Sequence, residues 1–158
     1  MTIFKKNVFW LLVTTAVFIV DRLTKFLVVK YLVFNQATEI LPCFNLFFTL
    51  NSGAAFSFLS DASGWQSWLF IAVGVIVSLL IAFWQLHITN NRWLQIALAL
   101  ILGGTLGNLF DRIFFSYVID FLDFYYSSSH FPAFNLADSA ICIGTAMLVL
   151  DMTRKRKF

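Results

Sequence analysis

The sequence predicts an all-α polytopic membrane protein, four transmembrane helices with a small extracytoplasmic β element, and three observations lead there. The first is composition: of 158 residues, 60% are hydrophobic, 18% are aromatic with 20 Phe, and 12% are charged, whereas about a quarter of a soluble domain is charged. The second is a succession of long apolar runs, each near the roughly 20 residues that a bilayer crossing needs. The third is the placement of cations. Lys5, Lys6, Arg92 and the tail Arg154-Lys155-Arg156-Lys157 fall on one face of a chain that crosses four times, and that face is cytoplasmic because Lys and Arg collect there. Both termini are then inside. The length leaves room for a single membrane domain over 1–158. The net charge of +3 comes largely from the tail and reads as a topology signal, so no nucleic-acid partner is expected.

The first span runs from about 8 to 33 and is interrupted by Asp21, Arg22 and Lys25. A cleavable signal peptide has an apolar centre of about 7–15 residues and a small-residue cleavage site. This run is longer and lacks such a site, which predicts an uncleaved helix. Segment 34–64 lies outside and contains Leu41-Pro42-Cys43-Phe44-Asn45-Leu46-Phe47-Phe48-Thr49-Leu50 followed by Asn51-Ser52-Gly53, a turn signal that makes a short β element plausible. Its aromatic rings suit the outer membrane interface. The second span covers 65–86 and the third 93–113; segment 114–133 is outside, and the fourth span covers 134–151. Helices are the default because lipid-exposed backbone must be satisfied internally and the runs lack the alternation of a barrel. The outer segments hold Glu39, Asp61, Asp120 and Asp123 but no Lys or Arg.

Two of these acids stand out. Asp120, in Val118-Ile119-Asp120-Phe121, and Asp138, in Phe134-Asn135-Leu136-Ala137-Asp138-Ser139, flank the start of an apolar run. Ionisable groups beside hydrocarbon are costly and mark pathways, relays or catalytic sites, and two close carboxylates shift each other's pKa as acid/base chemistry requires. Depth supports a site. At about 1.5 Å per residue, Asp21 lies roughly 20 Å from the cytoplasmic end of the first span and Asn108 roughly 22 Å along the third, with Arg112 one turn further and Asp138 about a turn from the outer end of the fourth. All four reach one level beneath the outer surface.

Each neighbour also has a plainer explanation. Asp21 and Lys25, spaced i, i+4, serve equally as a pair that fixes a helix. Gly103 and Gly107 form a Gly-x-x-x-Gly frame that speaks first for close helix packing. Asn51-Ser52-Gly53 is a turn before it is a ligand contact. Arg112 runs against the charge bias of the outer side, so it has a carboxylate or a ligand headgroup to meet, and Asp111 beside it is one mundane candidate. Cys43 reads as a loop thiol and Cys142 as a buried small apolar residue, without a disulfide signal. No His-Glu-x-x-His, paired-Cys or Gly-x-Ser-x-Gly spacing occurs, and His87 and His130 fall on opposite sides of the membrane, so neither a metal nor another cofactor is expected.

Five motifs together resemble the lipoprotein signal peptidases, or signal peptidase II, of bacterial inner membranes. They are Asp21-Arg22-Leu23-Thr24-Lys25, Asn51-Ser52-Gly53-Ala54-Ala55-Phe56, Gly103-Gly104-Thr105-Leu106-Gly107-Asn108-Leu109-Phe110-Asp111-Arg112, Val118-Ile119-Asp120-Phe121, and Phe131-Pro132-Ala133-Phe134-Asn135-Leu136-Ala137-Asp138-Ser139. Arg22 departs from the more frequent Gln, and Thr105 from Ala. The resemblance implies an aspartic endopeptidase that cuts prolipoproteins just before the lipid-modified cysteine, with Asp120 and Asp138 as the dyad. Around them, Asp21, Lys25, Asn51, Gly53, Gly104, Asn108, Arg112, Asn135 and Ala137 are expected to bind substrate or organise the site. The expected partners are the lipid-modified prolipoprotein and the bilayer, and the expected state is a monomer. Which aspartate is base and which is acid stays open, because the titration belongs to the pair. A proton-coupled carrier would need polar groups through both leaflets, and a purely packing subunit would leave Asp120 and Asp138 without a role.

Overall fold

A computed structural model describes residues 3–53, 65–87 and 91–155. Ala54, Ala55, Phe56, Asp61, Arg156 and Lys157, named above, lie outside the described residues. The elements run α1 (Ile3–Tyr31), β1 (Ala37–Leu41), β2 (Phe44–Asn51), α2 (Trp65–His87), α3 (Arg92–Phe115), β3 (Val118–Tyr126), β4 (Ser129–His130) and α4 (Leu136–Lys155). Among the described residues, three helices are long and apolar enough to cross a membrane, Trp65–His87, Arg92–Phe115 and Leu136–Thr153. α1 is longer, at 29 residues, and its apolar stretch between Lys6 and Lys30 is interrupted by Asp21, Arg22 and Lys25.

α3 is the central helix. Its apolar window is 61% buried, against 17% for those of α2 and α4, because α1, α2 and α4 all pack on it. Small residues make that possible: Ala97 and Ala99 are fully enclosed, and a Cβ on Gly103 would come within 2.7 Å of Val17 Cβ in α1. Leu94, Leu98, Ile101 and Leu102 meet Trp10 of α1 and Ile81 of α2 in the main core. The outer face of α2 presents Trp68, Leu79, Leu80 and Phe83, the composition of a lipid-facing surface. Asn91 caps the start of α3 by accepting from Leu94 N at 3.1 Å, and Ser116, at φ 65°, ends it.

The β element is larger than the sequence predicts. β1 and β2 supply the expected β element as an antiparallel hairpin that turns at Pro42-Cys43, with Cys43 at φ 74°. β2 then pairs antiparallel with β3, and β3 with β4, giving the order β1-β2-β3-β4. Segment 114–133, expected only as an outer segment, is therefore mostly strand beyond Phe115. The physical reason is the β-branched and aromatic run Val118–Tyr126, whose Asp120 and Asp123 break its apolar character and mask the strand. Val28 of α1 with Ile119 and Phe121 of β3 forms a second core that seats the sheet on the bundle.

Candidate active site

α4 begins with a reciprocal cap. Asn135 Oδ1 accepts from Asp138 N at 3.0 Å, while Asp138 Oδ2 accepts from Asn135 N at 3.2 Å. This is a capping box, which satisfies two orphan N–H groups of the first turn and fixes the Asp138 carboxylate at the helix N-terminus, where the dipole favours negative charge. The spacing Asn-x-x-Asp ahead of an apolar run was the sequence signal for it. The free amide nitrogen of Asn135 then donates to Asp120 Oδ1 at 2.7 Å. One side chain thus touches both acids.

Asp120 reaches this point through an irregularity in β3. Phe121 N and Leu122 N both donate to Phe134 O, at 3.0 and 2.8 Å, and the β2/β3 register shifts between Leu46 and Thr49. Such bulges re-aim side chains beside active sites. The second oxygen of Asp120 accepts from Asn51 Nδ2 at 3.0 Å, and Asn51 Oδ1 accepts from Gly53 N at 2.9 Å. The Asn51-Ser52-Gly53 segment is therefore both a side-chain-closed turn and a direct contact of Asp120.

Asn108 of α3 mirrors Asn135. Its Oδ1 accepts from Lys25 Nζ at 3.0 Å and Asn135 Nδ2 at 3.1 Å, which orients its amide nitrogen to donate to Asp138 Oδ1 at 2.7 Å. Behind it lies a buried ion cluster. Lys25, with no exposed side-chain surface, contacts Asp21 Oδ2 at 2.9 Å and Asp111 Oδ2 at 2.8 Å. Arg22 pairs with Asp111 and lies 4.6 Å over the Phe110 ring. Asp21 Oδ1 accepts from Ala137 N at 3.1 Å, tying α1 to the first turn of α4. A Cβ on Gly104 would collide with Ala137 O, and one on Gly107 would lie 2.5 Å from Asp21 Oδ2, so both glycines set how closely these helices approach.

Two readings need correcting. Asp111 is not the partner of Arg112 but of Arg22 and Lys25, because adjacent helix residues point about 100° apart. Arg112 instead donates to Gly53 O at 3.0 Å, lies 5.1 Å over the Phe70 ring, and is within electrostatic reach of Asp138 and Asp120. Cys142 is exposed rather than buried, on the face of α4 turned to the site. Arg22 and Asp111 were missed as site-organising residues; the signal was Asp111 itself, an acid in an apolar helix. Of the expected residues, Asp21, Lys25, Asn51, Gly53, Gly104, Asn108, Arg112, Asn135 and Ala137 are all joined by these contacts to the surroundings of Asp120 and Asp138.

Asp120 and Asp138 open on a cavity of about 480 Å³ whose walls include Asn51, Asn108, Arg112, Pro132 and Cys142. From Ile141 and Cys142 it leads into an apolar hollow along α4, past Thr145, Ala146, Val149 and Leu150. Burial pushes the Asp120 carboxyl up to about 7, with the charge of Asp138 adding to the rise and the amides of Asn51 and Asn135 and the charge of Lys25 opposing it. Two carboxyls over one cavity, one of them pushed up to about 7, are equipped to activate water and polarise a carbonyl together. Among the described residues, no group of three or more His, Cys, Asp and Glu is arranged to hold a metal ion.

Comparison with known proteins places the chain in a family. Residues 13–154 match the family model described as signal peptidase (SPase) II. The chain is 46% identical over 160 residues to a lipoprotein signal peptidase of Vibrio cholerae serotype O1, covering 99% of this chain and 94% of that protein. It is 49% identical over 143 residues to the lipoprotein signal peptidase of Shewanella pealeana, covering 90% and 84%. Its fold resembles a bacterial membrane enzyme solved by the in meso method at 2.3 Å resolution, with a TM-score of 0.84, 27% identity and coverage of 94% of this chain and 89% of that one. The chain belongs to the signal peptidase II family, proteases that process lipoproteins in bacterial membranes.

Proposed function

We propose that this protein removes the signal peptide from diacylglyceryl-modified prolipoproteins by hydrolysing the peptide bond just before the lipidated cysteine, with Asp120 and Asp138 as its aspartic dyad. The observation that carries the assignment is their setting: two carboxylates held by amides and a backbone N–H over one cavity, one of them raised to about 7. In this reading Asp120, whose carboxyl burial pushes up to about 7, is the proton donor and Asp138 the base. Asp138 takes a proton from water as its oxygen attacks the scissile carbonyl, and Asp120 donates to the carbonyl oxygen. The tetrahedral intermediate collapses as the C–N bond breaks, with the proton on Asp138 passing to the leaving amine and a hydroxyl proton of the gem-diol returning to Asp120, which frees the mature N-terminus and restores the starting protonation. Arg112 and Asn51 fix the orientation of the peptide and the lipid headgroup.

The chain crosses the inner membrane four times, with both termini cytoplasmic and the sheet outside. α1 supports this count. Its 29 residues extend about 43 Å, more than a hydrocarbon core of about 30 Å, and its inward charges Asp21 and Lys25 are completely enclosed, so lipid meets none of them. The apolar hollow along α4 suits hydrocarbon, and the dyad then lies just under the outer surface, where the anchor holds the scissile bond.

The test is cleavage by purified protein in detergent of one prolipoprotein with and without its diacylglyceryl group. The lipidated form alone should be cut, because the anchor's binding energy is used to orient the bond. Equal cutting of both forms would remove the lipoprotein assignment.

A further inference from the structure

Asp120 lies where two cavities meet, and the second has no part in the proton transfers above. It measures about 430 Å³, spreads over the sheet, and shares Asn51, Asp120 and the Phe131-Pro132-Ala133 turn with the first. Its character is different. The first is walled by α4 and continues into hydrocarbon-like surface, whereas the second is walled by Phe47, Thr49, Asp123 and His130. In an unbroken strand, residues three apart point to opposite faces, yet Asp120 and Asp123 line the same cavity. The bulge at Phe121 and Leu122 accounts for that.

Asp123 and His130 are built as a unit. The carboxylate of Asp123, almost fully buried, accepts from His130 Nδ1 at 2.9 and 3.0 Å and from Asn45 Nδ2 at 3.0 Å. Tyr125 stacks on the imidazole, with centroids 5.2 Å apart and planes at 19°. Nδ1 is committed and one ring face is covered, so Nε2 is the atom left to meet a ligand. The His130 side chain is half exposed, and such a pair contributes little to stability. A histidine held in one orientation by a carboxylate is what hydrogen-bond recognition requires. The lining contains two carboxylates and, among the described residues, no Lys or Arg, which favours a chain rich in hydrogen-bond donors.

We infer that this second cavity binds the peptide segment that follows the lipidated cysteine, laid in extended form over the sheet, with His130 as a specificity-determining contact and Asp123 as the residue that positions its ring. The inference rests on Asp120 and Asp138 being the point of cleavage. A scissile bond there has one flank in each cavity. The apolar signal helix on one flank matches the α4 side, where the acyl chains of the cysteine at the junction also meet hydrocarbon, and the peptide beyond that cysteine, destined for water, lies over the strands, whose backbone and side-chain groups recognise extended peptide.

Two lipopeptide substrates separate the outcomes: one amidated at the lipidated cysteine, one continuing for several residues beyond it. The intact enzyme in detergent should cut the longer one with a kcat/KM about tenfold higher, a modest contact energy. His130→Ala should bring that ratio toward one, chiefly through KM, and Asp123→Asn should do the same with the imidazole still present. A wild-type ratio of one, or a ratio unchanged in both variants, overturns the subsite, including the case in which a variant slows both substrates equally. A wild-type enzyme that cuts neither lipopeptide would instead overturn the proposed cleavage, and the subsite with it.

Discussion

Two pairs of carboxylates occupy one layer of this molecule and are treated in opposite ways. Asp21 and Asp111 are matched by Lys25 and Arg22 and sealed from solvent. Asp120 and Asp138 are held by Asn51, Asn108 and Asn135, form no ion pair with Lys or Arg among the described residues, and open on a cavity. A matched cation cancels a carboxylate and turns it into scaffold. Amides orient a carboxylate without cancelling it, so its charge and its proton stay available for chemistry. The two pairs are linked through Lys25 Nζ and Asn108, which lets the neutral cluster hold the reactive one in register.

The contrast breaks most visibly at the dyad itself. Asp120→Asn and Asp138→Asn should each reduce cleavage by about 10⁴-fold or more, and the double variant should be little worse than either, because groups acting as a unit are not additive. Thermal unfolding in detergent should stay close to wild type, since an amide keeps the shape and the cluster behind it is untouched. A variant that retained more than about a tenth of wild-type turnover would remove that residue from the dyad.

Lys25→Met inverts the pattern. It leaves Asp21 and Asp111 enclosed with one cation between them, and stranding a buried charge typically costs about 3–5 kcal/mol. The expected result is a large drop in melting temperature, with Asn108 losing the donor that sets its amide orientation. A melting temperature equal to wild type would mean that the cluster is not scaffold, and the distinction between the two pairs would fail.

Much of this arrangement was legible in the chain, and the parts that were not have physical reasons. Counting helical rise brought Asp21, Asn108 and Asp138 to one depth, and they are joined through Lys25, Asn135 and Ala137. Rise along a helix is a local property that sequence carries. Rotation about the axis relative to neighbours is not, so Asp111 was matched with adjacent Arg112 although it faces α1. The β2/β3 pairing was equally out of reach: Asn51 and Asp120 are 69 residues apart, and nothing local to either segment names its partner. The Asn135-x-x-Asp138 cap is different, a purely local signal masked because the same two residues also have the chemistry of a site. Asp123 and His130 were visible only as an acid and a lone histidine until the strand pairing set them against Asn45.

The finest test concerns the amides rather than the acids. If Asn51 orients Asp120 without cancelling its charge, it still favours the ionised form to a small degree, because its Nδ2 donates to Oδ2 at 3.0 Å. Burial pushes the Asp120 carboxyl up to about 7, and the proposed dyad works with one proton, so kcat/KM should fall as pH rises through that value and Asp120 becomes anionic. Removing the donor with Asn51→Ala withdraws a contribution that lowers the pKa, while burial and the charge of Asp138, which raise it, remain. The proton is then held to higher pH, and the alkaline limb of the profile should move upward, by up to about one unit for one hydrogen bond of about 1 kcal/mol. Turnover at the optimum should also fall as orientation is lost, but the direction of the limb is the decisive reading. A downward shift would mean that Asn51 stabilises the protonated acid, and the amides of this site would then be part of its proton chemistry rather than its frame.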